Sequence, residues 1–266
     1  MAGRLILMKE FFGFGGYQRA AEGYFSWQHL LFVSFLNASM ILCAVLLSRR
    51  NKRAATTDHR RVLAASAILA DALEVFKIVL LCIRHENPLH WLYELPLFMC
   101  SILLIAMPLA AFTRGRLQEA SVDFVAIFGL LGAVFGTYFA GNNYGSYPVI
   151  SFDNVVSGLT HAISGFASLY ILLSGMATLQ KRNIPVTFGI MGGFCLAAYI
   201  VNHLVDYNYM FLMRGDGTPY DILYNLTGGS PVWYPLGVIG LFFAYIAVFY
   251  AALPLIRKHR QSAASA

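Results

Sequence analysis

Seven apolar runs of about 20 residues each constrain the fold of this chain more than any other feature. A helix that crosses the hydrocarbon core of a bilayer needs about 20 consecutive, mostly apolar residues. The runs are 26–47, 62–83, 92–112, 122–141, 154–175, 186–207 and 233–256. They take up more than half of the 266 residues, so little chain remains for a soluble domain. The sequence therefore predicts an all-α polytopic membrane protein, a bundle of seven transmembrane helices.

The composition excludes most other classes of protein. Hydrophobic residues make up 58% of the chain and charged residues 12%, whereas a soluble domain usually has about 25% charged residues. This balance excludes a disordered chain and argues strongly against a soluble enzyme. The net charge of +6 does not indicate nucleic-acid binding, because the basic residues lie in short loops between apolar runs. Membrane lipids are the expected partners, and nucleic acid is not.

The cysteines and histidines give no clear signal for a disulfide or a metal. Cys43, Cys82, Cys100 and Cys195 all fall within apolar runs, and their spacing predicts neither a disulfide framework nor a zinc site. A metal site with His29, His161, His203 and Asp206 as ligands has only weak support, because these residues come from three predicted helices without a local HxxxH. No metal and no cofactor are predicted.

The basic residues also predict how the chain is oriented in the membrane. Of the 19 Lys and Arg residues, 13 fall in one set of alternating loops and five in the opposite set, while Lys77 lies within a run. The positive-inside rule makes the richer set cytoplasmic, with the N-terminus outside and the C-terminus inside. The predicted parts are an interfacial segment on the outer leaflet (1–24), a seven-helix domain (25–257) and a cytoplasmic tail (258–266). The expected location is the cell membrane.

Polar side chains converge in the outer halves of the predicted helices. Ionisable groups inside a membrane are costly, so each is a functional candidate. Asp71, Glu74 and Lys77 share one broad helical face through their i, i+3, i+6 spacing. We predict one polar cavity that opens to the extracytoplasmic side. The candidate substrate-binding residues are His29, Asp71, Glu74, Lys77, Glu94 and Asn202, and the candidate catalytic residues are Cys100, His161, His203 and Asp206.

Structural interpretations of the same residues stay open. Glu74 and Lys77 also suit a pair that neutralises itself, and His203 with Asp206 also suits an interfacial cap at a helix end. Cys100 is compatible with a small apolar core residue. Small residues such as Gly129, Gly132 and Gly136 favour close packing between helices.

Several motifs resemble a known family of membrane proteins. They are Phe25-Ser26-Trp27-Gln28-His29-Leu30, the pair Glu74 and Lys77, Glu94-Leu95-Pro96-Leu97-Phe98-Met99-Cys100, Asn208-Tyr209-Met210-Phe211-Leu212 and Pro231-Val232-Trp233-Tyr234. As a set they resemble the YwaF family of bacterial integral membrane proteins, which is related to the transmembrane protein 164 family. The resemblance implies a multi-pass fold and, from the eukaryotic relatives, lipid acyl transfer by a cysteine and a histidine just after the proline of the third helix. In this chain Leu97 and Phe98 follow that proline, and Cys100 comes about a turn later.

Two main hypotheses for function follow, and a structural or accessory membrane subunit stays open as a third. The first is an intramembrane lipid acyltransferase or hydrolase, in which Cys100 is the nucleophile, His161 or His203 the base, and Lys77 binds the oxyanion or a lipid phosphate. The alternative is a small-solute transporter, receptor or binding protein that uses the same cavity, with Asp71, Glu74 and Lys77 as an ion or proton relay.

Overall fold

All regular secondary structure in the described part of the chain is helical, which confirms the all-α prediction. The computed structural model describes residues 8–52, 56–177 and 179–264, the last twelve by their backbone only. Arg4 and the rest of 1–7 in the predicted interfacial segment lie outside the described residues, as do 265–266 of the predicted tail. The helices are α1 (Trp27–Arg50), α2 (Thr56–Arg84), α3 (Leu103–Phe112), α4 (Gly115–Tyr138), α5 (Gly141–Ser146), α6 (Phe152–Ser174), α7 (Ile184–Val205), α8 (Tyr220–Leu226) and α9 (Trp233–Ala264).

Five stretches of the described chain are long and apolar enough to cross a membrane. They are Trp27–Arg50, Gly115–Ser146, Phe152–Ser174, Lys181–Val205 and Trp233–Ala252. These correspond to five of the seven predicted runs. The chain is therefore a membrane protein with several apolar helices.

The other two predicted runs do not form long, continuously apolar helices: charged residues interrupt one, and the other is only partly helical. Helix α2 contains the run 62–83 and has 29 residues, but Asp71, Glu74 and Lys77 interrupt its apolar character. The prediction of a continuous helix over 92–112 is wrong, because only Leu103–Phe112 is α-helical there. Pro96 lacks an N–H group and disfavours helical backbone in the residue before it, so the helix does not extend back through this point.

Helix α6 lies at the centre of the bundle and packs against α1, α2 and α4. The approach of α4 to α6 is close enough that a Cβ atom at Gly129 would lie 2.5 Å from the carbonyl oxygen of Ser164. The hydroxyl of Ser168 donates to the carbonyl of Ala126 at 2.8 Å in the same contact. The predicted packing role of Gly129 is therefore confirmed.

A buried carboxylate that the sequence analysis did not single out joins α4 to two other parts of the chain. Asp123, in α4, accepts hydrogen bonds from the backbone N–H of Leu179 at 3.1 Å and from the side-chain amide of Asn183 at 2.9 Å. The hydroxyl of Tyr250, in α9, donates to the same carboxylate at 3.0 Å. A buried carboxylate is tolerated where hydrogen bonds satisfy it. These hydrogen bonds tie α4 to the segment before α7 and to α9.

An ion pair between α2 and α6 is one point at which the described part of the N-terminal segment contacts the helices. Arg84 donates to both carboxylate oxygens of Asp153, at 2.7 and 2.9 Å. The hydroxyl of Tyr17 donates to the same carboxylate. Burial, with the negative charge of Asp153 beside it, raises the pKa of Tyr17 to about 12. Tyr17 therefore stays protonated as a donor at neutral pH and holds the segment against α2 and α6.

Candidate functional site

Three ionisable side chains form one partly buried cluster between α2 and the segment that precedes α3. The ammonium nitrogen of Lys77 lies 2.7 Å from a carboxylate oxygen of Glu74 and 3.0 Å from one of Glu94. Only 14 to 24% of each side chain is exposed. The predicted contact between Glu74 and Lys77 is confirmed, and Glu94 completes it. Lys77 is thus already shared by two carboxylates.

Asp71 lies one turn before this cluster on α2. Its Oδ1 atom is buried and has no hydrogen-bond partner among the described residues. Glu74 follows it by three residues on the same helix. The face predicted from the i, i+3, i+6 spacing is therefore a continuous polar stripe.

Cys100 and His161 meet in a small polar cavity next to Glu74. Cys100 lies in the turn just before α3, and His161 lies on α6. The cavity has a volume of about 30 Å³, and its walls also include Ser101, Leu104, Thr160 and Ser164. That volume holds about two water molecules. The side chains of Cys100 and His161 both line this cavity.

The hydrogen bonds of His161 show which of its nitrogens carries the proton. Nδ1 lies 2.7 Å from the backbone carbonyl of Ser157. Because a carbonyl oxygen only accepts, Nδ1 must be the donor, and Nε2 of the neutral ring is the unprotonated nitrogen. Nε2 is buried and makes no hydrogen bond of ordinary geometry within the described part of the chain. The ring therefore presents a free basic nitrogen, which is the arrangement that a general base requires.

Two glycines of α4, one turn apart, give room to this pair. A Cβ atom at Gly136 would lie 2.1 Å from Nε2 and from Cδ2 of His161. At Gly132 the same atom would lie 3.7 Å from Cβ of Cys100. The ring edge of His161 can therefore occupy its position only because residue 136 has no side chain. The sequence predicts a packing role for both glycines, and their contact with the site has no local sequence signal.

A second, larger and apolar cavity also has Cys100 in its wall. Its volume is about 130 Å³. The other residues that line it are Phe98, Met99, Gly132, Phe135, Gly136, Met210, Phe211, Tyr220 and Phe242. Cys100 is the single residue common to the walls of the two cavities.

The segment that follows α7 holds the loop before Cys100 in place. Asn202 accepts from the backbone N–H of Tyr209 at 2.6 Å and donates to its carbonyl at 3.0 Å. The hydroxyl of Tyr209 donates to the carbonyl of Leu92 at 2.6 Å and accepts from the N–H of Leu95 at 3.1 Å. The predicted substrate-binding residue Asn202 thus uses its amide oxygen and one amide N–H to position the segment that contacts the loop before Cys100.

His29, also predicted to bind substrate, has both ring nitrogens engaged by the backbone. Nδ1 accepts from the N–H of Phe25 at 3.2 Å, and Nε2 donates to the carbonyl of Thr137 at 3.0 Å. The ring packs on that of Tyr144, with 3.9 Å between the ring centroids. These contacts join the start of α1 to the end of α4, which is a structural task.

The structure does not bring His203 and Asp206 to Cys100. Both side chains are exposed, and neither contributes to the walls of the two cavities. His203 packs against the ring of Tyr199, and Asp206 ends α7 with a φ of 51°. Among the described residues, no group of three or more His, Cys, Asp or Glu side chains is arranged to hold a metal ion. Of the predicted catalytic residues, Cys100 and His161 are the two that lie together.

Comparison with known proteins gives one match. A protein-family model described as the TMEM164 family matches residues 24–250. No curated protein and no solved structure matches the chain. The matched region contains α1 to α8 and most of α9, and with them Cys100 and His161.

Proposed function

This chain belongs to the TMEM164 family of membrane proteins, and we propose that it is a lipid acyltransferase or lipid hydrolase that forms a thioester on Cys100. One observation carries the proposal. The unprotonated Nε2 of His161 and the thiol of Cys100 share a small cavity, and a backbone carbonyl fixes the tautomer of the ring. A thiol beside a positioned base is the arrangement that activates a cysteine nucleophile.

The proposed first step transfers an acyl group from an ester lipid to the enzyme. Nε2 of His161 takes the proton of Cys100, and the thiolate attacks the ester carbonyl carbon. A C–S bond forms, the C–O bond to the lipid alcohol breaks, and the proton on Nε2 passes to the departing oxygen. In the second step the hydroxyl of an acceptor lipid, or of water, attacks the thioester. Its proton goes to His161, and the sulfur leaves and recovers that proton.

Groups around the thiol suit the charges of these steps. Cys100 lies three residues before Leu103, the first residue of α3, and the positive end of a helix favours a negative charge on a sulfur near it. The hydroxyl of Ser101, 4.0 Å from Sγ of Cys100, is the donor that we assign to the oxyanion of the tetrahedral intermediate. Lys77, predicted for that task, instead balances Glu74 and Glu94.

The test is acyl transfer by the purified chain in vesicles that contain a diacyl lipid with one labelled chain and an unlabelled lysolipid. We expect the label to move to the lysolipid, or to be released as free fatty acid where water is the acceptor. Binding of either lipid with neither transfer nor release would instead support the alternative, a binding or transport protein that uses the same cavity.

We also propose that the chain crosses the cell membrane seven times, with its N-terminus outside and its C-terminus inside. Helix α2 is about 43 Å long at 1.5 Å per residue, and its charges are largely paired. The third crossing combines Leu103–Phe112 with the non-helical segment before it, which is tolerated at membrane depth where it is buried in protein. Within this arrangement 1–24 lies on the outer leaflet, 25–257 spans, and 258–266 is cytoplasmic.

Labelling of single introduced cysteines tests this orientation. In intact cells, an impermeant thiol reagent is expected to modify a Gln18→Cys variant and to spare a Ser262→Cys variant until the membrane is opened. The matched parent chain shows the background from the four native cysteines. Modification of Ser262→Cys in sealed cells, with Gln18→Cys protected, would reverse the orientation.

A further inference from the structure

We propose that the apolar cavity beside Cys100 holds the acyl chain of the thioester, and that Gly132 determines which chains fit. This inference rests on the proposed function, because it assigns a binding site to the acyl chain of the thioester on Cys100. It names the substrate as a lipid whose acyl chain is long enough to fill an apolar cavity.

The two cavities that meet at Cys100 differ in size and chemistry. The polar one has room for about two water molecules, so it admits a carbonyl or a hydroxyl group but no hydrocarbon chain. The other has about 130 Å³, close to the ~150 Å³ of an apolar cavity that binds benzene. An acyl chain bonded to the sulfur of Cys100 therefore has one cavity with suitable apolar walls. About six of its carbons fit in that cavity.

The walls of this cavity suit a flexible hydrocarbon. Four phenylalanines and two methionines line it, and Tyr220 is the one residue with a side-chain oxygen. Methionine adapts its shape to irregular apolar partners. These side chains shield the hydrocarbon part of the thioester from water, while its carbonyl lies on the side of the polar cavity.

Part of the wall is held in an unusual backbone conformation. Met210 and Phe211 both have φ near 56°, a value that non-glycine residues adopt rarely. Asn202 fixes Tyr209 on one side, and the hydroxyl of Tyr234 donates to the carbonyl of Phe211 at 2.7 Å on the other. Strained backbone that is fixed from both sides is characteristic of functional sites. Here it presents Met210 and Phe211 to the cavity.

Gly132 is the position at which a small change alters this cavity without moving the catalytic pair. A Cβ atom there would make ordinary contacts, 3.7 Å to Cβ of Cys100 and 3.8 Å to Leu103. The added methyl group therefore fits the fold and takes up space next to the sulfur. Gly136 is unsuitable for this test, because a side chain there would displace His161.

The first readout is the specificity of the Gly132→Ala variant in vesicles. The ratio of kcat/KM for a donor with a 16-carbon chain to that for a donor with a 2-carbon acetyl group, which is too short to enter the cavity, is expected to fall about 10-fold or more. Gly193→Ala is the matched control, since Gly193 is an exposed helical glycine with nothing within 4 Å of its Cβ position. An unchanged ratio, or an equal loss with both donors, would overturn the role of Gly132.

The second readout does not depend on turnover. A lipid with a photoreactive group on its 16-carbon chain is crosslinked to the Cys100→Ser variant, and the modified residues are mapped by mass spectrometry. Crosslinks at Met99, Met210 or Phe211 are expected, and crosslinks confined to residues outside the cavity wall would overturn the proposal. If crosslinks map to the cavity wall but the parent protein shows no acyl transfer or hydrolysis, the proposed enzymatic function is refuted and the binding site for the acyl chain is retained. If the parent protein turns lipid over but the crosslinks lie outside the cavity wall, the enzymatic function is retained and the acyl-chain site is refuted.

Discussion

Replacement of Cys100 by alanine is expected to lower acyl transfer by at least about 1,000-fold while the protein stays folded. Alanine has no atom that can form the thioester, so the two-step path through a covalent intermediate is lost. The side chain is small and lies between two cavities, so its removal costs little packing. The measurement is the initial rate of label transfer in vesicles, with the melting temperature of the same sample as a check on folding.

Two further variants separate a catalytic thiol from a structural one. Cys43→Ala, at an exposed position on α1, is the matched control and is expected to keep the rate of the parent. The rate reductions caused by replacing His161 and by replacing Cys100 should not add, because the base and the nucleophile act as a unit. The double variant Cys100→Ala with His161→Ala is therefore expected to be no slower than Cys100→Ala alone. Parental turnover by Cys100→Ala would remove the thiol mechanism.

Replacement of Lys77 by alanine is expected to destabilise the protein by about 3 kcal/mol, the usual cost of breaking a buried ion pair by removing one partner. The loss leaves the carboxylates of Glu74 and Glu94 facing each other with no positive charge between them. The double variant Lys77→Ala with Glu74→Ala removes one of these carboxylates, so it should recover part of the lost stability. The measurement is the free energy of unfolding in detergent.

An exposed pair on the same helix serves as the control for Lys77. Arg61 lies 3.0 Å from Asp58 with the same i, i+3 spacing, but its side chain is 81% exposed. Exposed pairs contribute little, so Arg61→Ala should leave stability unchanged within error. If the double variant at Lys77 and Glu74 loses as much as the two single variants together, the residues are not coupled, and the structural role of Lys77 is refuted.

Local spacing was sufficient to predict part of the candidate site. The contact between Glu74 and Lys77 follows from helical periodicity, because residues three apart lie on the same face. The common depth of Cys100 and His161 followed from their positions along two runs. Depth along a helix does not reveal which way a side chain faces, however. The sequence therefore could not separate His161, which reaches the cavity, from His203, which points away from it.

Other features depend on tertiary contacts that no local pattern records. His29 and Asn202 have polar side chains at the expected depth, but backbone groups engage them: His29 reaches the distant carbonyl of Thr137, and Asn202 binds the backbone of Tyr209 beyond the end of its helix. Gly136 is indistinguishable in sequence from a packing glycine, and its contact with His161 exists only once α4 and α6 are docked. The break in the run 92–112 was visible at Pro96. The apolar composition of the run nevertheless predicted one spanning helix, because hydropathy reports how apolar a segment is and not whether it is helical.

The central claim, that Cys100 carries the acyl group, is tested most directly by trapping the intermediate. The purified chain is mixed with a donor lipid, denatured within seconds and measured by intact and peptide mass spectrometry. We expect an increase equal to one acyl group, located on Cys100, released by neutral hydroxylamine, and absent from Cys100→Ala but present in Cys43→Ala. An acyl group on another residue that persists in Cys100→Ala, or lipid turnover by that variant, would contradict the claim.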